Sequence, residues 1–93
     1  LAILDSFLKA AQEDPHIATA HISLFTGLWK LWRDSGHTEP FLTLFSVQLM
    51  SACKISSSTT FHKTIRELHQ YGYIDYTPSF NRHVGSKVRF INP

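Results

Sequence analysis

Between Ser57 and Tyr71 the chain sets small hydroxyls, a histidine and two cations at helical spacing: Ser57, Ser58 and Thr59 first, then His62, Lys63 and Arg66. Phe61, Ile65 and Leu68 recur at i, i+4 and i+7 with Thr64 beside them, the apolar stripe of an amphipathic helix. With that stripe turned inward, Ser58, Thr59, His62, Lys63 and Arg66 fall on the opposite face. Their shared chemistry is recognition of a polyanion. Small hydroxyls allow close approach and donate to phosphates or base edges. A helix N-terminus favours an anion. Lysine supplies charge, and an arginine can grip guanine through two hydrogen bonds worth roughly 1–3 kcal/mol of discrimination. His62 either reads a base or stands in solvent. The alternative for the whole face is the solvated side of an ordinary amphipathic helix. A second polar cluster, Asn81, Arg82, His83, Ser86 and Lys87, follows in a loop. Basic loop tips of this kind lie along phosphates or in a minor groove, with Arg82 and Lys87 as the candidate contacts. The alternative there is a solubilising loop.

Other chemistries find less material. Six histidines, His16, His21, His37, His62, His69 and His83, are scattered over several elements. His62 and His69 stand two helical turns apart, and no carboxylate or cysteine joins them at ligand spacing, so no metal site is expected. Cys53 with a histidine is the nominal nucleophile–base pair, and its apolar helical setting argues for a buried thiol. Four dispersed glycines make no phosphate-cradling loop. No catalytic residue, no cofactor and no small-molecule substrate is expected. One cysteine excludes an intramolecular disulfide and a paired-cysteine zinc site, and it fits a reducing, cytoplasmic compartment.

The 93 residues suffice for one domain and not two. Hydrophobic residues make up 43% and charged residues 17%, against about 25% charged in an average soluble domain, so a packed chain is expected rather than a disordered one. The formal net charge is +2. It is unevenly spread. Residues 1–53 carry Lys9, Lys30 and Arg33 against Asp5, Glu13, Asp14, Asp34 and Glu39; residues 54–93 carry Lys54, Lys63, Arg66, Arg82, Lys87 and Arg89 against Glu67 and Asp75. The C-terminal half is therefore the candidate for contact with a polyanion. No apolar run is long enough to span a bilayer, and no signal-peptide pattern is seen. A start at Leu1 rather than Met is compatible with a piece of a longer protein.

The elements that must position these residues follow from periodicity. Ile3, Leu4, Phe7, Leu8 and Ala11 predict a helix from Ala2 to Glu13, stopped by Pro15. Ile22, Phe25, Leu28, Trp29 and Trp32, widened by Leu24 and Leu31, predict a second helix from Thr19 to Arg33, with Gly36 at its exit. Phe41 to Phe45 predicts a short strand, with Phe41, Thr43 and Phe45 on one face and Leu42 and Leu44 on the other. Ser46 is the expected N-cap of a short helix reaching Lys54, and Ser57 that of the next. Gly72 stops that helix after Tyr71. Residues 73–77 and 87–91 alternate as two strands around a polar loop from Pro78 to Ser86, making a hairpin with which the strand at Phe41–Phe45 can pair. Two helices across a short turn, followed by a hairpin, is the element order of a winged helix.

The stretch from Ser57 to Ile74 resembles the recognition helix and first wing strand of bacterial winged-helix proteins. In those a Ser/Thr-rich start leads to an ending like Leu68, Gly72, Tyr73 and Ile74. The wider span from His21 to Phe90 is similar to winged-helix domains of phage replisome organisers and DnaD-like primosomal proteins. It also resembles small regulators carried on mobile elements of Bacteroides-type bacteria, in which a helix like Ser23–Trp32 precedes an aromatic-rich strand. Residues 1–15 lie outside the resemblance; the stripe of Ile3, Leu4, Phe7 and Leu8 must bury against its own domain or a second copy, which makes this extra N-terminal helix a candidate dimerisation element. For 16–93 the resemblance implies an α+β, mostly helical winged helix-turn-helix DNA-binding domain. It further implies sequence-specific binding of double-stranded DNA in transcriptional regulation or replication initiation. The alternative function is a winged-helix protein–protein interaction module without DNA binding, which would show exposed Leu, Phe or Trp on the 57–71 helix.

Overall fold

The computed structural model describes residues 2–36, 41–79 and 85–91. Among them the chain folds as an α+β domain with four helices, α1 (Ala2–Glu13), α2 (Thr19–Asp34), α3 (Ser46–Cys53) and α4 (Ser58–Gln70), and three strands, β1 (Leu42–Leu44), β2 (Ile74–Thr77) and β3 (Ser86–Phe90).

Local chemistry sets most boundaries. Ser57 caps α4, its side chain accepting from the Thr60 N–H at 3.3 Å. At the other end Gly72 sits at φ 86°, its N–H reaching the His69 carbonyl and that of Tyr73 the Leu68 carbonyl. That pair of bonds is a Schellman closure, which needs a left-handed residue and takes glycine without strain. Gly36, at φ 91°, follows the end of α2, its N–H bonding the Arg33 carbonyl at 3.1 Å. α3 behaves differently from expectation: the N-cap position is Phe45, without a side-chain cap bond, and Ser46 is already helical. The extended backbone of β1 runs directly into the helix there, so the cap falls on the last extended residue whatever its type. The helix also stops one residue short of the expected end, because Lys54 turns left-handed at φ 61°, ψ 33°.

The strands form one antiparallel sheet in the order β1-β3-β2, with Leu42 opposite Val88 and Tyr76 opposite Val88 on the other side. One sheet face is turned to the helices. Leu42, Leu44, Ile74 and Val88 are buried there against Leu24, Phe25 and Leu28 of α2, Leu49 and Cys53 of α3, and Phe61, Ile65 and Leu68 of α4. The α2 stripe is centred differently from its sequence pattern. Leu24 is completely buried while Ile22 is 36% exposed, because the histidine next to it, His21, takes the inward position. Gly27 lets α2 and α3 cross closely: a Cβ there would lie 3.0 Å from the Cβ of Cys53. α1 packs onto its own chain. Phe7 is buried, stacked on Phe25 at 3.8 Å between ring centroids and edge-on to Tyr73, with Ile3, Leu4, Leu8 and Ala11 half-buried around it.

Candidate nucleic-acid interface

α3 and α4 are joined by a tight turn over residues 54–57, made possible by the left-handed Lys54 and closed by the Ile55 N–H bonding the Met50 carbonyl at 3.1 Å. Burial of Phe61, Thr64, Ile65 and Leu68 fixes the rotation of α4. Ser57, Ser58, Thr59, His62, Lys63 and Arg66 are consequently all exposed. The sequence-derived face is thus one continuous surface. No large apolar side chain stands on it.

Several details bear on what this face can do. Among the described residues no carboxylate pairs with Lys63 or Arg66. The Arg66 Nε donates to the His62 carbonyl at 3.1 Å, which holds the base of the guanidinium against its own helix and leaves its four remaining N–H groups outward. Thr64 does the opposite of its exposed neighbours, its hydroxyl donating to the Thr60 carbonyl at 2.7 Å inside the helix. Ser57 is already spent on the cap, so its oxygen offers less to a ligand than those of Ser58 and Thr59.

α4 is anchored by a residue that sequence periodicity did not single out. His21, 6% exposed, accepts the Ala18 N–H on Nδ1 at 2.9 Å. That bond requires Nδ1 to be unprotonated, so Nε2 carries the hydrogen and donates to the Glu67 carboxylate at 3.0 Å. Ala18 has no side-chain oxygen with which to cap α2, and His21 closes the turn from the other side. Tyr71 adds a longer bond to Glu67 at 3.4 Å. The partners are 46 residues apart, and only the folded chain reveals them.

A second anchor holds α1 and the exit of α4 together. The Tyr73 hydroxyl donates to Asp14 at 2.6 Å, and Asp14 also accepts the His16 N–H at 2.9 Å. Those bonds, that of Tyr73 first, hold the Asp14 carboxyl below the usual carboxylate range. Burial and then the Asp14 partner push the Tyr73 hydroxyl up to about 12.

Beyond α4, Lys87 is exposed on β3, its ammonium 4.8 Å from the centre of the Phe41 ring. Arg82, Asn81 and His83 lie outside the described residues, as does His37. The other histidines serve the scaffold. His69 accepts the Tyr76 N–H on Nδ1 at 3.0 Å, so the Asp75 oxygen 3.9 Å from that same nitrogen is not an ion-pair partner. Cys53 is buried, and loss of solvent pushes its thiol up, away from reactivity. Among the described residues no helix is long and apolar enough to cross a membrane. In comparisons with protein-family models, curated proteins and solved structures, none matched the chain.

Proposed function

We propose that this chain is a winged helix-turn-helix domain that binds double-stranded DNA, with α4 in the major groove and the β2–β3 hairpin as the wing. The observation that carries the proposal is the outward face of α4. Ser58, Thr59, His62, Lys63 and Arg66 are exposed together, uncrowded by apolar groups, on a helix that follows another across a four-residue turn. A groove-reading helix needs this combination: base contacts concentrated near its N-terminal end and a preceding helix to brace it. The sheet order β1-β3-β2 supports the winged arrangement, since it sets the hairpin beside the helix pair and closes it with the strand preceding α3. Lys87 and Arg82 would add phosphate contacts from the wing. The resemblance over residues 21–90 supports a role in transcriptional regulation or replication initiation of a bacterial mobile element.

Fluorescence anisotropy with a generic labelled duplex, at two salt concentrations, tests the proposal. The expected result is salt-sensitive binding that Lys63→Ala/Arg66→Ala weakens by roughly tenfold or more, because both cations meet phosphates or base edges. Absence of binding at low salt would overturn it and turn attention to a protein partner.

A further inference from the structure

Among the described residues the helices pack on one face of the sheet and leave the other open. Side chains pointing away from the core are set by the register: Thr43, Lys87 and Thr77 form one row across the three strands, and Arg89 and Asp75 form the next. Thr43, Thr77, Lys87 and Arg89 are all exposed. Alternation puts Phe41 and Phe45 on this same outward side of the β1 segment, flanking Thr43. The contact of Lys87 with the Phe41 ring confirms the first, and Phe45, extended at φ −113°, ψ 140°, is 49% exposed. The face therefore offers the exposed ring of Phe45 and the half-buried ring of Phe41 beneath Lys87, on residues about 13 Å apart along the chain at roughly 3.3 Å per strand residue, with Thr43 between them.

We propose that this outward sheet face binds single-stranded nucleic acid, with Phe41 and Phe45 stacking bases and Lys87 and Arg89 meeting phosphates. Charge complementarity and ring exposure together select that occupant. Exposed rings beside cations are the two ingredients of sequence-tolerant strand binding, since every base has a face to stack and every nucleotide a phosphate. A duplex keeps its base faces stacked at about 3.4 Å spacing and leaves none free to meet an aromatic ring. The centre of a protein-docking face is depleted of charged residues, where this one carries Lys87 beside Thr43. Asp75 offsets part of the charge by pairing with Arg89 at 3.1 Å, so binding should be of modest affinity and strongly salt-dependent. The platform is a different surface from the α4 face, sharing Lys87 with the proposed wing contacts, and strand binding on it does not depend on Lys63 or Arg66.

The test is anisotropy with a labelled oligothymidine of about twelve nucleotides, within the usual footprint of such sites, beside the duplex. The parent chain should bind the strand at low salt. Phe45→Ala should weaken it roughly fivefold to hundredfold, as loss of one stacked base does, and Phe45→Tyr should restore it. Lys63→Ala/Arg66→Ala should leave strand binding intact while duplex binding falls, and absence of duplex binding by the parent chain would count against the α4 proposal and not this one. No strand binding by the parent overturns the inference. So does unchanged affinity in a folded Phe45→Ala variant, or dependence on Lys63 and Arg66 instead. If Phe45→Ala melts below the working temperature, Arg89→Gln takes its place, and unchanged strand affinity in that variant overturns the inference equally.

Discussion

Lys54 illustrates how one residue can hold a site in shape at a cost. It is the non-glycine residue with a positive φ among the described residues, in the turn that sets the direction of α4. A lysine pays in steric strain for a conformation glycine adopts freely, roughly 1–2 kcal/mol for left-handed backbone. Gly72, at φ 86° with open space around its missing Cβ, shows the same chain using glycine where the same geometry is needed. Lys54→Gly should therefore stabilise the fold by about 0.5–1 kcal/mol, part of the relieved strain being offset by the greater freedom of glycine in the unfolded chain. Urea unfolding should show a higher midpoint with an unchanged slope. If Lys54 also meets a phosphate, the same variant will bind duplex less tightly while melting later, and the two effects separate its structural role from its charge.

At the scale of elements, the contact between α1 and the turn after α4 is the one whose strength should follow pH. Asp14 is held low and Tyr73 is raised to about 12, so both groups favour the hydrogen-bonded form across neutral pH. For a depressed carboxyl the contribution is present above the ordinary value near 3.9 and disappears as pH falls through the lower folded value. For a raised tyrosine it is complete below about 10 and disappears as pH climbs towards about 12. Tyr73→Phe should thus destabilise the domain by a constant amount near pH 7, and the gap from the parent should close both in acid and above pH 10. A gap that stayed level through pH 11 would remove Asp14–Tyr73 as the source. Helix ends were legible beforehand because their causes are local: Ser57, Gly36, Gly72 and Pro15 carry their meaning in the sequence. The faces of α4 and β1 were legible for the same reason, through periods of 3.6 and 2. What was not legible needed distant partners. Periodicity set Ile22 in the α2 stripe together with Leu24, and it is His21, bonded to Glu67, that goes inward while Ile22 stays 36% exposed. The Ser46 cap failed because β1 enters α3 without a loop, and the β1–β3 register depends on residues more than forty positions apart.

Charge is unevenly divided between the two halves of the sequence, and that division makes a quantitative demand on the duplex proposal. Residues 54–93 carry the basic excess, with Lys63 and Arg66 on α4 and Lys87 and Arg89 on β3, while α1 and α2 set Lys9, Lys30 and Arg33 against Asp5, Glu13 and Asp34. Four cations are assigned to duplex contact: Lys63, Arg66, Arg82 and Lys87. Each neutralised phosphate releases counterions and contributes a slope of about −0.9 in log affinity against log salt. A single copy using all four should give a slope near −3.6, and two copies on a two-fold site about twice that. The second case needs an interface between copies, for which the sequence nominated α1. Phe7 and Tyr73 already join that helix to its own core, so a partner would have to use what the half-buried Ile3 and Leu4 leave uncovered. Light scattering on the free chain and a salt titration on the complex therefore answer one question together. A dimeric mass with a slope near −7 supports pairing through α1. A monomeric mass at high concentration sinks that pairing, and a slope near −3.6 then leaves one copy per site. A slope near zero, whatever the mass, would mean that phosphates are not what these cations meet, and the duplex proposal would fall with it.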